Sequence, residues 1–283
     1  MKICRSIESL RLALAAAGGK SVGFVPTMGS LHAGHLSLVR TCRQENELAV
    51  VSIYVNPAQF GPAEDFRRYP RAAERDIALL EKERTDLLFM PDSKEIYPPG
   101  YETYVRVEGL ENVLCGKSRP GHFRGVATVV LKLFNLVGPQ RAYFGQKDAQ
   151  QAIVIMRMVR DLNLPVQVRV LPIVRDSDGL ALSSRNVYLT TEERRAALHL
   201  PRALAGAETL ITSGERDAAA IRKAVAGELA KDPLVRSEYI AVVRPWDLAE
   251  LEAVEPENTL IAAAILVGKT RLIDNLLLGD LSC

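Results

Sequence analysis

The sequence predicts an α/β fold: a parallel sheet with helices on both faces, followed by a smaller C-terminal α+β domain. Three observations predict it. Short apolar runs alternate with helix-period segments through the first part of the chain. The most distinctive polar motifs fall just after those runs, where open parallel sheets take their ligands. Beyond about residue 175 the order changes to helices followed by strands, the last two of which flank a short turn.

Residues 22–25 read as a buried strand, and a Pro/Gly turn hands over to a helix from about 33 to 45 with Leu36, Leu38, Val39 and Cys42 on its apolar face. Residues 48–55 form a second buried strand, followed by a polar Pro/Gly-rich segment over 56–69 and a helix from about 71 to 84. A third strand at 86–90, a Pro-rich loop at 91–100, a strand at 104–107 and a longer helix over 124–137 come next. Then a strand at 142–144, a helix over 147–162 and a β-branched strand at 166–170 complete the series. This βαβα order is Rossmann-like and calls for right-handed connections. Past 175, one helix is expected over 191–212, with Thr190 or Thr191 as N-cap and Glu192 and Glu193 in its first turn. Ser213-Gly214 separates it from a helix over 216–230, and strands follow at 239–243, 259–267 and 271–277. The last two read as a hairpin around Gly268-Lys269-Thr270. The expected domains are 1–175 and 176–283, with the late polar loop carried by the second.

The chain has 283 residues, 48% of them hydrophobic and 25% charged, an ordinary globular composition that can bury a sizeable core. A net charge of +2 is too small to argue for nucleic acid or an anionic membrane. No apolar run approaches the ~20 residues of a membrane span, and the N-terminus lacks the apolar core of a signal peptide. Cys4, Cys42, Cys115 and Cys283 are widely spaced, so free thiols in a cytosolic protein are expected.

The richest motif is Phe24-Val25-Pro26-Thr27-Met28-Gly29-Ser30-Leu31-His32-Ala33-Gly34-His35-Leu36. It sets two imidazoles and backbone N–H groups at a helix N-terminus, a site suited to phosphate. His32 and His35 share one helical face. A zinc site would need further ligands, and His122 and His199 stand far away in sequence. Capping histidines and turn glycines are the plainer alternative.

Three later stations also follow strands. Asn56-Pro57-Ala58-Gln59-Phe60-Gly61 is a stiff turn whose neutral amides suit a small substrate with hydroxyl and carboxylate groups, or serve only the turn. Phe144-Gly145-Gln146-Lys147-Asp148 places a cation in a first helical turn, where a bound anion would relieve it. Asp148 suits that turn unaided, and Gln151 lies one turn on from Lys147. Residues 172–186 form a polar loop with Ser183, Ser184 and Arg185, groups that match phosphate oxygens, at the domain boundary. The chain lacks a P-loop, a Gly-x-Gly-x-x-Gly fingerprint and a Gly-x-Ser-x-Gly elbow.

The His-x-Gly-His helix start and the Ser-Ser-Arg loop resemble the nucleotidyl-transfer superfamily that includes class I aminoacyl-tRNA synthetases. The full set, Pro26-Thr27-Met28-Gly29, His32-Ala33-Gly34-His35, Asn56-Pro57-Ala58-Gln59-Phe60, Tyr69-Pro70-Arg71, Gly145-Gln146-Lys147-Asp148 and Leu182-Ser183-Ser184-Arg185-Asn186, resembles the pantothenate synthetase (pantoate–β-alanine ligase) family. The match runs from near residue 20 to about 190, and the ending Arg271-Leu272-Ile273-Asp274-Asn275 is also similar. Departures are small: the lysine-bearing loop of the tRNA synthetases is Ser183-Ser184-Arg185 here, as in this family, and Leu182 stands where Met is frequent.

The resemblance implies ATP- and magnesium-dependent condensation of (R)-pantoate with β-alanine, releasing AMP and diphosphate. It implies ATP contacts from Met28, Gly29, Ser30, Leu31, His32, Ala33, Gly34 and His35, from Gly145, Gln146, Lys147 and Asp148, and from Val174, Leu182, Ser183, Ser184 and Arg185. It puts pantoate on Gln59 and Gln151, with the β-alanine site at Gln59, and Asn56 is the further substrate candidate from its turn. His32, His35, Lys147 and Arg185 are the expected catalytic group, His35 as proton donor. No protein ligand for magnesium is assigned, Asp76 being a candidate only. A homodimer is implied, with no nucleic acid or membrane partner. A nucleotidylyltransferase acting on a phosphate is disfavoured by the neutral amides, and a tRNA synthetase by the lack of an anticodon-binding extension and basic stripe.

Overall fold

The apolar runs of the first part pair into a six-stranded sheet in the order β1-β4-β3-β2-β5-β6, every neighbouring pair parallel. The computed structural model describes residues 1–62 and 64–281. Its first elements are β1 (Lys2–Cys4), α1 (Ile7–Ala16), β2 (Val22–Thr27), α2 (Ala33–Glu45), β3 (Leu48–Ile53), α3 (Ala73–Lys82) and β4 (Leu87–Phe89). Then come α4 (Ser93–Ile96), α5 (Cys115–Ser118), α6 (His122–Val137), β5 (Arg141–Gly145), α7 (Ala149–Asp161) and β6 (Gln167–Leu171). Strand alternation sends Val25, Val51, Leu88 and Tyr143 into one core with Leu38, Val39 and Cys42 of α2 and Leu80 of α3. Phe24 and Phe144 instead meet Phe134 of α6 edge-on, so helices cover both faces. Burial pushes the Cys42 thiol up to about 12.

The strand order reverses between β2 and β5, adjacent in the sheet but separated in the chain by β3 and β4. Ligands of open α/β sheets bind at such a point, beyond the carboxyl ends of the strands. The loop leaving β2 carries the histidine motif.

The later elements are α8 (Thr191–Ala197), α9 (His199–Thr212), α10 (Ala218–Leu229), β7 (Val235–Val243), β8 (Thr259–Val267) and β9 (Thr270–Leu278). β7, β8 and β9 form an antiparallel sheet with β8 central, and β8 and β9 make the expected hairpin. Leu204 and Ile211 of α9, Ile221 and Val225 of α10 and Ile261 and Ile265 of β8 share its core.

Two compact units emerge. The first comprises Met1–Asn112, Gly116–Gly145 and Val154–Leu171, and the second takes in Val113–Cys115, Gln146–Ile153 and the chain from Pro172 onward. A single cut near 175 therefore leaves out two short excursions into the second unit.

Several expectations change in detail. Residues 104–107 pair with no strand: the Val105 N–H goes to the Thr128 hydroxyl at 3.0 Å. The single helix over 191–212 is two, α8 and α9, meeting at Leu198. Pro201 explains the break, because it has no N–H to donate and its ring crowds the carbonyl of Ala197. Thr190 is the N-cap of α8, in a reciprocal capping box with Glu193. Lys147 sits in a 3-10 turn, Gln146–Asp148, just ahead of α7 rather than inside it. β1 and α1 were not expected. Cys4, Cys42 and Cys115 are buried thiols, and Cys283 lies outside the described residues. No helix among the described residues is long and apolar enough to cross a membrane.

Candidate functional site

In the first unit, the loop from β2 to α2 is held from below its own backbone. Gly29 and Ser30 have φ of 80° and 51°, and Ser30 is a non-glycine residue in the left-handed region. That path turns the Ser30 and Leu31 N–H groups onto the carboxylate of Asp76, at 2.7 and 2.8 Å. Asp76 is 1% exposed. Both of its oxygens thus accept backbone hydrogens, the kind of bond that secures a buried carboxylate. The Ser30 and Leu31 N–H groups are thus engaged by Asp76.

His32 is the N-cap residue of α2, and His35 stands three positions on. The rings are 4.1 Å apart centre to centre, and the His32 N–H donates to His35 Nδ1 at a long 3.4 Å. With Nδ1 accepting, a neutral His35 ring carries its proton on Nε2. The first turn of α2 has no acidic residue, so its dipole faces no side-chain anion of its own.

The turn after β3 supplies two amides. Asn56 donates to Gln59 Oε1 at 3.0 Å and to the Gly125 carbonyl at 3.1 Å. Its oxygen accepts from the Ala58 N–H at 3.3 Å and the Tyr97 hydroxyl at 3.0 Å. Every hydrogen-bonding capacity of Asn56 is used inside the protein. The Asn56 amide therefore holds the Gln59 side chain in place. Burial pushes the Tyr97 phenol up, keeping it a donor. Gln59 donates to the Met28 sulfur at 3.2 Å, tying this turn to the loop that carries the histidines.

His122, distant in sequence, comes to the same turn. Its Nδ1 lies 2.8 Å from the Gln59 carbonyl, and its Nε2 lies 3.1 Å from Arg119 Nη1. Nδ1 therefore donates and Nε2 accepts, while Arg119 forks onto Glu64 at 2.9 and 2.6 Å. His122 and Gly125 were not read as site residues, and Asp76 only as a candidate for magnesium. Their only sequence signal is proximity to a Pro/Gly turn, which does not distinguish them.

The second unit holds Gln146, Lys147, Asp148, Gln151, Val174, Leu182, Ser183, Ser184 and Arg185. Gly145 belongs to the first unit. A Cβ at Gly145 would meet nothing within 4 Å, so no protein atom demands a glycine there. Lys147 Nζ lies 3.6 Å from Asp148, so a neighbouring carboxylate offsets its charge. Gln151 is half-buried, whereas Gln150 is buried and takes the Cys115 N–H at 3.0 Å. Residues 174–182 double back on themselves: Asp176 N–H bonds to the Leu180 carbonyl at 2.8 Å and Leu182 N–H to the Val174 carbonyl at 3.0 Å. The Ser183 side chain caps the next turn by accepting the Arg185 N–H at 3.2 Å.

Among the described residues no group of three or more His, Cys, Asp or Glu side chains could hold a metal ion.

The model of the pantoate–β-alanine ligase family matches residues 2–277. A pantothenate synthetase from Moorella thermoacetica is 56% identical over 280 residues, covering 98% of this chain and 99% of that one. One from Herpetosiphon aurantiacus is 53% identical over 278 residues, covering 98% and 100%. The crystal structure of pantothenate synthetase from Thermus thermophilus superposes with a TM-score of 0.95 at 49% identity, covering 99% of this chain and 100% of that one. A pantoate–β-alanine ligase from Francisella tularensis, complexed with β,γ-ATP and β-alanine, gives 0.80 at 34% identity, covering 98% and 97%.

Proposed function

The chain belongs to the pantoate–β-alanine ligase family, and on that premise we propose that it joins (R)-pantoate to β-alanine at the expense of ATP. The products are pantothenate, AMP and diphosphate, which places the enzyme in coenzyme A biosynthesis. The observation that carries this reading is the Gln59–Met28 contact, which ties a neutral amide to the loop bearing His32 and His35.

A carboxylate resists attack by an amine because its oxygen leaves poorly. In the first step a pantoate carboxylate oxygen attacks the α-phosphorus of ATP, and the bond to the β-phosphate oxygen breaks. The second step is attack by the β-alanine amine on the resulting pantoyl-adenylate, with AMP leaving and the amine losing a proton. Both steps depend on positioning and charge neutralisation more than on covalent chemistry. Met28 to His35, Gly145 to Asp148, Val174 and Leu182 to Arg185 contact ATP in this reading. His35 Nε2 donates toward phosphate oxygen as diphosphate departs. His32, Lys147 and Arg185 share the charge. Gln59 and Gln151 take the hydroxyl and carboxylate of pantoate, Gln59 also borders the β-alanine site, and Asn56 acts through Gln59.

Magnesium would come with ATP, bound chiefly through its phosphates, and would neutralise their charge there. The family resemblance also suggests a homodimer. The buried thiols of Cys4, Cys42 and Cys115 suit the reducing cytoplasm.

The test is diphosphate release from ATP with pantoate alone, followed by AMP and amide formation once β-alanine is added. Release with other carboxylates and none with pantoate would sink the assignment. The His35→Ala variant should lose about 10²–10⁴-fold in turnover with its circular dichroism unchanged; unaltered kinetics would remove His35 from the chemistry.

A further inference from the structure

β9 is an outer strand of its sheet, yet it buries two adjacent polar side chains, Asp274 at 2% and Asn275 at 4% exposure. Burying an ionised carboxylate beside an amide is costly unless both are fully bonded. Their partners are specific. Asp274 receives the fork of Arg175, at 2.6 Å from Nη1 and 3.0 Å from Nη2, and its Oδ1 also accepts the Asn275 N–H at 2.8 Å. Asn275 gives its two amide hydrogens to the carbonyls of Gln146, at 2.9 Å, and Lys147, at 3.2 Å. The Asn275 oxygen accepts from the Gln146 side chain at 3.1 Å.

The two residues thus reach two different loops. Arg175 begins the doubled-back segment that leads to Ser183, Ser184 and Arg185, bridged to Ala181 and carrying a further bond to the Gly179 carbonyl at 3.2 Å. Gln146 and Lys147 form the 3-10 turn from which the Lys147 ammonium projects. A strand that only closed a core would be served by apolar residues here, as it is at Leu272. Instead the polar pair spends its bonds on backbone carbonyls and a guanidinium at the bases of both loops.

We propose that Asp274 and Asn275 are positioning residues that lock the Lys147 turn and the Ser183-Ser184-Arg185 loop onto one strand as a single clamp for the ATP phosphates. This rests on the reading that both loops contact ATP. Loosening either tie leaves Gln59 untouched, since it belongs to the other unit, while Gln151, which shares this unit, stands on α7 and takes no part in these bonds. The effect therefore falls first on ATP.

The experiment measures diphosphate release at varied ATP and varied pantoate for the parent chain, Asn275→Ala, Asp274→Asn, Lys147→Ala and the Asn275→Ala/Lys147→Ala double variant. Folding is checked by circular dichroism, and the near-isosteric Asp274→Asn stands in should Asn275→Ala fail to fold. Asn275→Ala and Asp274→Asn should each raise the KM for ATP or lower kcat by about tenfold, with the KM for pantoate moving less than about twofold. In the Lys147→Ala background the Asn275→Ala change should cost less than about twofold, because its target is gone. Equal damage to the pantoate KM, or an Asn275→Ala cost that persists undiminished without Lys147, would overturn the positioning role alone. An unchanged ATP KM and kcat in Lys147→Ala would overturn the ATP reading of the loop, and the clamp with it.

Discussion

Asp76 shows how far a residue's place can differ from what its type suggests. A carboxylate near a phosphate site invites assignment as a magnesium ligand, yet both its oxygens are occupied by the Ser30 and Leu31 N–H groups. Removing it strands two buried donors, each costing about 1–3 kcal/mol. Asp76→Ala should therefore lower the urea midpoint of the metal-free protein in the presence of a chelator, and depress turnover because the histidine loop loses its anchor. Asp76→Asn, which keeps one oxygen, should fall between the two. A midpoint unmoved without magnesium would favour the ligand role instead. Asn56 and Gln59 carry the same lesson. Their residue types made the turn legible as a polar site. That the Asn56 amide is engaged inside the protein was not, because it depends on the Gly125 carbonyl and the Tyr97 hydroxyl, which no local pattern announces.

Among the elements, α6 sets the turn from Asn56 to Gln59 by sheer closeness. A Cβ on Gly125 would lie 2.3 Å from the Ala58 carbonyl oxygen and 2.6 Å from the Gln59 N, both backbone atoms that cannot swing aside. Gly125→Ala should therefore raise the KM for pantoate by about tenfold or more and leave that for ATP within about twofold, as steady-state kinetics would record. On the other unit, Arg194 of α8 forks onto Asp178 at 2.8 Å and Asp176 at 2.6 Å. Burial alone would raise the Asp178 carboxyl, but the hydrogen bonds from Arg194 and the Leu180 N–H outweigh it and hold the group below its ordinary 3.8. A carboxyl so depressed stabilises the fold above its unfolded value and loses that contribution as pH falls through the folded one. Thermal midpoints taken from pH 7 downward should thus drop below about pH 4, and Arg194→Ala should flatten that part of the curve. The start of α2 and the β8–β9 hairpin were readable because caps and tight turns are local signals. The strand β1, three residues long, was too short to carry a period, and the break at Leu198 needed Pro201 to be weighed against a continuous apolar face.

At the scale of the whole molecule, a reading along the chain can place one boundary but cannot see short segments that leave one unit to complete another. The two excursions are held by specific bonds within the second unit. Gln150 grips residues 113–115 through the Cys115 N–H at 3.0 Å and the Val113 carbonyl at 2.8 Å. Cys115 Sγ lies 3.0 Å from the Tyr239 hydroxyl, which burial pushes upward in pKa. Asn275 likewise needs the carbonyls of Gln146 and Lys147. A fragment of residues 172–283 keeps β7, β8 and β9 but leaves Tyr239 and Asn275 facing missing neighbours. Each buried polar group so abandoned costs about 1–3 kcal/mol, against a total stability of only about 5–15 kcal/mol for an ordinary domain. The fragment alone should therefore show weak amide protection along β9 and a shallow, low-temperature melt, whereas the same strand in the full chain should exchange slowly. A fragment melting as sharply, and as high, as the second unit of the full chain would mean that the excursions contribute nothing and that a single cut near 175 describes how the chain is built.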